Sequence, residues 1–292
     1  MNFNRFFPIT PVAIVFLGLY GCNSAPNATE APAEARILQQ IDITGAATPY
    51  PAMERLAAAY EAQTQQTQVN FLPPNQSSGG ILGVQEGMVD IGTVTRQPKP
   101  EENEQPLKYR EIAKDALLVA THPSVEGVSD LTTEQLQAIY SGAATNWQEF
   151  GGPDAEIIVL DRAEDESAKR LLRQYYLGPE LLSSPEAIVL RHEIDLVAAV
   201  QNTPYSIGAF SLAKAISEEL PVNRLSLNGV EPTPENVRRG TYPMARTLGV
   251  VYAPNPSKPA QKFLQFSASQ PASEVLLESG FVPSGGEYSS RR

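Results

Sequence analysis

The stretch Ile41-Asp-Ile-Thr-Gly-Ala-Ala-Thr-Pro-Tyr-Pro51 constrains the fold most. Ile41 and Ile43 alternate as in a short strand, and Gly45, Ala46 and Ala47 make a small-residue turn. Met53, Leu56, Ala57 and Tyr60 then recur at i, i+3, i+4 and i+7, the stripe of a helix with one buried face. Pro51 suits the first helical turn, where its missing N–H would have no intrahelical partner. Thr48 sits at the strand-to-helix turn. A helix start carries unpaired N–H groups and the positive end of the dipole, so it can hold an anion. A Thr that merely caps the helix fits the same residues.

The pattern recurs along the chain. Gln68 to Leu72 reads as a strand through Val69 and Phe71, and Pro73-Pro74 ends it. Asn75-Gln-Ser-Ser-Gly-Gly80 is a second hydroxyl- and glycine-rich turn, followed by Ile81, Val84 and Met88 at helical spacing. Ser77 and Ser78 can donate to an anion there, and the glycines let backbone approach it. Val89 to Val94 is a third strand, running into Thr95 and Arg96. Asp115 to Thr121 is a continuous apolar run, suited to a strand covered on both faces. Asp130 to Gly142 is a helix with capping-box spacing at Thr132 and Gln135, an inner stripe of Leu136, Ile139 and Tyr140, and a glycine stop. Trp147 follows in a loop. Glu156 to Leu160 is a strand ending at Asp161-Arg162, and Ala163 to Lys169 leads into a helix through Leu171, Leu172, Tyr175 and Tyr176. A helix over 194–200, a strand over 205–210, a long strand over 242–252 and a helix over 259–269 complete the reading. Strands alternating with helices predict an α/β protein with mostly parallel sheets. No fixed short period marks a solenoid or propeller.

Composition excludes several classes. The formal net charge of −11 argues against a nucleic-acid binder. It does not exclude a local anion site, because a distant acidic surface is screened. Cys22 is the one cysteine, so neither an intrachain disulfide nor a Cys-based metal cluster can form. With only His122 and His192, no metal and no cofactor is expected. There is no G-x-S-x-G elbow and no nucleophile motif beside either histidine, so an enzyme such as a hydrolase is not expected. Proximity in space leaves that reading open.

Residues 1–21 read as a secretory signal, with Arg5 in its basic region and an apolar run from Phe6 to Tyr20. Leu19-Tyr20-Gly21-Cys22 resembles the lipobox of bacterial lipoproteins, in which the Cys takes the lipid; an unmodified Cys in an ordinary signal is the alternative. Residues 22–37, rich in Ala, Pro, Asn and Glu, read as the tether of a body anchored through Cys22. This predicts a periplasmic or cell-surface location on a membrane. Residues 286–292 read as a frayed tail.

Six stretches match a known family in order. They are Gly45-Ala-Ala-Thr-Pro-Tyr-Pro51, Gln76-Ser-Ser-Gly-Gly80, Val89-Asp-Ile-Gly92 with Thr95-Arg96, Leu131 to Gly142 with Asn146-Trp147, Thr203-Pro-Tyr-Ser-Ile-Gly208, and Tyr242-Pro-Met-Ala-Arg246. Through them, residues 40–285 resemble the phosphate-binding proteins of bacterial high-affinity phosphate ABC transporters. The resemblance implies a two-lobe periplasmic-binding-protein-like fold of type II with a hinge. Lobe 1 would be residues 38–121 plus 243–285, and lobe 2 residues 122–242. It implies a monomer that delivers phosphate or a related oxyanion to an ABC permease and binds no nucleic acid. Alternatives are a divergent paralogue for another small solute, or a sensor.

By position, Thr48 and Ser77 match the first-lobe hydroxyls of the family and Arg162 the second-lobe arginine. Ser78, Thr95, Arg96 and Ser167 complete the expected ligand set. Three departures stand out. Pro49 falls where the family has a backbone donor and has no N–H. Thr95 falls where the family has an acid. Arg162-Ala-Glu-Asp-Glu-Ser-Ala-Lys169 replaces a Gly-Ser-Gly-Thr loop. Either Glu164, Asp165 and Glu166 point away, leaving Ser167 and helix N–H groups as the site, or the ligand is not phosphate. Arg162 can equally be a salt-bridge partner of these acids, and Arg246 can pair with an acid across the cleft.

Overall fold

The computed structural model describes residues 38–102 and 105–284. The expected signal, Cys22 and the whole of the tether over 22–37 fall outside the described residues, as does the tail over 286–292.

The chain opens with β1 (Gln39–Gly45), α1 (Tyr50–Thr64), β2 (Thr67–Phe71), α2 (Ser77–Gln85) and β3 (Ile91–Val94). The long β4 (Lys108–Thr121) follows, then β5 (Asp130–Leu131), α3 (Thr133–Ser141), β6 (Ile158–Arg162) and α4 (Ser167–Leu172). Next come β7 (Ile188–Leu190), α5 (Glu193–Asn202), β8 (Ser206–Ser211), α6 (Leu212–Ser217), β9 (Asn223–Leu227) and α7 (Pro234–Arg239). The last elements are β10 (Ala245–Tyr252), α8 (Lys258–Phe266), α9 (Gln270–Glu278) and β11 (Val282–Pro283).

The main strand order is β2-β1-β3-β10-β4-β8-β6-β7. β1 pairs in parallel with β2 and β3, and β6 in parallel with β7 and β8. The centre is antiparallel: β10 runs against both β3 and β4, and β4 against β8 and β9. The sheet is therefore mixed, with parallel wings and an antiparallel middle, and not mostly parallel. Sequence alternation carries no information on the direction of the neighbouring strand, which explains the difference.

Two large apolar cores form on this frame, beside a smaller one of Ile81, Val84, Val89, Val94 and Val251. One large core gathers Ile41, Ile43, Met53, Leu56, Ile112, Ala113, Leu248, Val250 and Phe263. The other gathers Ala116 to Ala120, Leu136, Trp147, Leu160, Leu196, Phe210 and Met244. β4 passes from the first core at Ala113 to the second at Ala116, and β10 returns from Met244 to Leu248. Both strands thus pass from one core to the other.

Local signals explain most elements. The glycine of the first turn has φ +131°, and a Cβ there would lie 2.3 Å from the Thr93 carbonyl oxygen, so Gly45 permits the chain to press against β3. In α3, Thr132 and Gln135 form the reciprocal capping box, and Gly142 closes the helix at φ 78°. Thr132→Ala is expected to destabilise the fold by about 1 kcal/mol, read as a lower midpoint in urea unfolding. Three local expectations shift. Met88 lies beyond α2 and is 61% exposed, because the chain turns at Gly87. Trp147 sits in a short 3-10 turn, fully buried, its indole N–H donating to the Tyr205 carbonyl at 2.8 Å. Tyr175 and Tyr176 belong to a π turn over Arg173–Leu177 that continues α4.

Candidate functional site

Open α/β sheets bind solutes at the carboxyl ends of their parallel strands, where helix starts gather. In the first half those ends are Gly45 and Val94. They are tied together, since the Ala46 N–H donates to the Thr93 carbonyl and the Thr93 hydroxyl to the Ala46 carbonyl, each at 2.9 Å. Ser77, the first residue of α2, is buried. Its Oγ accepts the Thr95 N–H at 3.1 Å and lies 3.4 Å from the Thr95 hydroxyl. Ser77 and Thr95 thus share one sheet edge, with Ser78 exposed beside them.

Thr48 does not cap α1. The residue at that position is Pro49, with no side-chain cap bond. Pro49 and Pro51 have no N–H, and Tyr50 gives its own to the Ala47 carbonyl at 3.0 Å. The start of α1 therefore offers an anion little backbone donation, and Thr48 lines a cavity instead.

The second half contributes Arg162, the last residue of β6, 6% exposed. Its Nη2 donates to the Arg191 carbonyl at 2.7 Å and to Glu166 Oε2 at 3.1 Å. Nε and Nη1 are buried with no partner among the described residues. Asp161 anchors this strand end: its Oδ1 accepts the Arg162 N–H at 2.7 Å, and its Oδ2 accepts from Lys169, which is fully buried. Lys169 also donates to Ser183 at 3.0 Å and stands 5.4 Å over the Tyr140 ring. Burial, then the Asp161 charge, holds the Tyr140 hydroxyl well above its ordinary pKa.

The three acids of the loop face different arginines, and Glu164 also lies 3.8 Å from Lys169. Glu164 accepts two bonds from Arg173, at 2.5 and 2.6 Å, and those donors hold its carboxyl below the usual range. Exposed Asp165 reaches Arg191 at 3.4 Å. Only Glu166 stays on Arg162. Ser167, half-buried, opens the six-residue α4 beside it. The structure thus draws two of the three carboxylates onto other cations and leaves the third on the arginine.

Arg96 is committed elsewhere. Both its terminal nitrogens bond Glu102 at 2.6 Å, and this pairing holds the Glu102 carboxyl at about 2. A 3-10 turn over Pro100–Glu102 brings the two together, a fold-back that spacing alone does not reveal.

A cavity of about 520 Å³ is lined by Thr48 from the first half, Glu193 at the start of α5, Asp115, Lys214, Ser211 and Arg246. Arg246 pairs with Asp115, the residue opposite it on β4, and its Nη1 lies 3.4 Å from Glu193. The Ser211 hydroxyl and the Ala213 N–H also donate to Asp115, at 2.9 and 3.3 Å. Burial alone would lower the Arg246 pKa, but the Asp115 and Glu193 charges outweigh it and keep the guanidinium protonated. Tyr242 to Arg246 stands out in the sequence, but Asp115 and Glu193 do not, since nothing local links them to Arg246. His122 and Ser124 meet at 2.8 Å, but the Ser124 hydroxyl also accepts the Tyr205 N–H at 2.8 Å, and His122 Nδ1 the Ser124 N–H at 3.0 Å. Both are held as parts of a turn.

β4 and β10 join the two larger cores, and the cavity beside them is lined by Thr48 but not by Ser77, Ser78, Thr95, Arg162 or Ser167. A family model of the PBP superfamily domain matches residues 30–271, and the chain belongs to that superfamily. It is 27% identical to the phosphate-binding protein PstS of Borreliella burgdorferi over 272 residues, covering 90% of this chain and 93% of that one. It is 25% identical to PstS of Bacillus subtilis over 271 residues, covering 91% and 88%. Among solved structures, it is similar to a putative phosphate ABC transporter substrate-binding protein with bound phosphate from Clostridium perfringens. That match has a TM-score of 0.69 and 28% identity, over 84% of this chain and 100% of that one.

Proposed function

We propose that the chain is an extracytoplasmic solute-binding protein that captures phosphate or a related oxyanion for an ABC importer. The observation that carries this reading is Arg162, a buried guanidinium with Nε and Nη1 unpartnered among the described residues. Nitrogens left so are costly in an interior and gain most from a charged acceptor. The relatives' names point to the same anion. In this reading Arg162 is the charged clamp, and the hydroxyls of Thr48, Ser77, Ser78, Thr95 and Ser167 replace the hydration shell. Arg96 acts at the rim, if it leaves Glu102. The proposed lobes are lobe 1, residues 38–121 and 243–285, and lobe 2, residues 122–242, with Ala116–Ala120 and Met244 of the first range packing into the second core. A lipid on Cys22 and the tether over 22–37 keep this body, a monomer, at the membrane beside its permease.

Titration calorimetry with phosphate, sulfate, arsenate, molybdate and tungstate tests the proposal. Saturable heat with phosphate at one site per chain is expected; no heat with any of the five rejects the oxyanion reading. Glu166 on Arg162 favours a second reading, a divergent paralogue or sensor for another small anion. That reading gains if phosphate binds far more weakly than another member of the series.

A further inference from the structure

Two contacts meet in one short turn. Arg191 and His192 link β7 to α5, and Glu193 opens α5. The Arg191 carbonyl accepts Arg162 Nη2 at 2.7 Å, so this turn orients the guanidinium. Two residues on, the Glu193 carboxylate faces Arg246 Nη1 at 3.4 Å, and Arg246 is paired with Asp115. Asp115 and Arg246 lie opposite one another on β4 and β10. Their strands pass between the cores at this level, because Ala113 and Leu248 belong to the first core and Ala116 and Met244 to the second. The pair is nearly inaccessible, with side chains 4% and 11% exposed, whereas Glu193 is 27% exposed.

We infer that Glu193 is a positioning residue that couples anion contact at Arg162 to the ion pair where the strands cross between the cores. The coupling rests on the anion reading of Arg162 given above. An anion on Arg162 Nε and Nη1 draws the guanidinium and the Arg191 carbonyl together. Any shift of that turn changes the reach of Glu193 to Arg246. Arg246 cannot follow freely, because Asp115 holds it and the Ser211 and Ala213 donors hold Asp115. The Glu193 contact is the long, adjustable link in an otherwise tight chain. Occupancy and the crossing strands thus bias one another, and such coupling is reciprocal.

The test uses the full chain and its Glu193→Gln variant, which keeps the shape and removes the charge. Phosphate affinity is measured by calorimetry, and amide exchange over residues 110–118 and 243–250 by mass spectrometry, without and with saturating phosphate. In the wild type, phosphate should slow exchange over 243–250. E193Q should bind phosphate about 5- to 10-fold more weakly and, once saturated, lose that slowing. Glu218→Gln, which removes an acid from the Lys214 pair lining the same cavity, should alter neither. A merely structural Glu193 would lower the melting temperature while leaving the slowing in place. If E193Q melts well below the wild type, Glu193→Asp, with a shorter reach and the same charge, carries the same comparison. The inference is overturned if the saturated variant shows the wild-type slowing, or if the wild type binds phosphate with no change over 243–250. A wild type that binds no oxyanion removes the anion reading itself, and the two failures are distinct.

Discussion

Arg162→Met is expected to abolish phosphate binding while leaving the anion-free protein as stable as the wild type, or more so. The two halves of this result have one origin. Nε and Nη1 lie buried without partners among the described residues, and such groups cost about 1–3 kcal/mol each in an interior. A Met, which reaches about as far as Nε, removes the unpartnered nitrogens and with them that cost. Two charge-assisted bonds to a bound anion contribute about 1.5–3 kcal/mol each, and their loss corresponds to a drop in affinity of roughly 100-fold or more. The partners left behind are tolerant: Glu166 is partly exposed and regains water, and the Arg191 carbonyl loses one of two possible bonds. Calorimetry and a thermal melt on the same preparation decide the matter. Affinity within a few-fold of the wild type would show that the anion does not sit on this residue. A variant that melts well below the wild type would show that Arg162 is a structural cation, with Glu166 as its purpose.

Lys169→Met should have the largest effect on stability. It strips the buried Asp161 of its cation in a site where Lys169 is 0% and Asp161 2% exposed. Breaking one side of a buried pair costs about 3–5 kcal/mol, because the charge that remains is uncompensated. For a body of this size that is a fall in melting temperature of roughly 10 °C. Asp161→Asn combined with Lys169→Met should recover much of the loss, since a neutral amide can still accept the Arg162 N–H. A double variant as unstable as the two single losses summed would contradict the pairing. Differential scanning fluorimetry reads all of these. Because Asp161 also fixes the Arg162 backbone, the single variant should bind anion more weakly, even well below its melting point.

Elements whose signals are local were legible in the sequence. The capping box at Thr132 and Gln135 and the glycine stop at Gly142 mark α3 to within a residue or two of its ends. The apolar run over 116–120 marks the buried half of β4 but not the half from Lys108. There Lys108, Arg110 and Glu111 are exposed or half-buried and break the apolar run, though their backbone still pairs with β10. The helical pattern over 259–269 does not extend to α9, although Ser269 caps α9 and Pro271 sits in its first turn. For the site, hydroxyl-rich turns and a strand ending in Arg162 were visible because strand ends and helix starts leave composition marks. The fate of the acids was not. Glu164 meets Arg173 nine residues on, across α4, and Arg96 meets Glu102 through a 3-10 turn. Those pairings depend on how the backbone folds back, and linear spacing does not encode it. The Asp115–Arg246–Glu193 chain is less visible still, joining positions 131 and 53 residues apart.

The position of β10 carries a consequence for assembly. Although it comes from near the carboxyl end of the chain, it lies between β3 and β4, and both amino-terminal strands hydrogen-bond to it and not to each other. The second core needs little beyond one contiguous stretch and can condense early from local contacts. The first must wait for a keystone delivered late, over a long sequence separation, and such pairing is slow. A nascent or translocating chain that ends before Ala245 therefore carries an unfinished amino-terminal half with two open edges, ready for a chaperone or a protease.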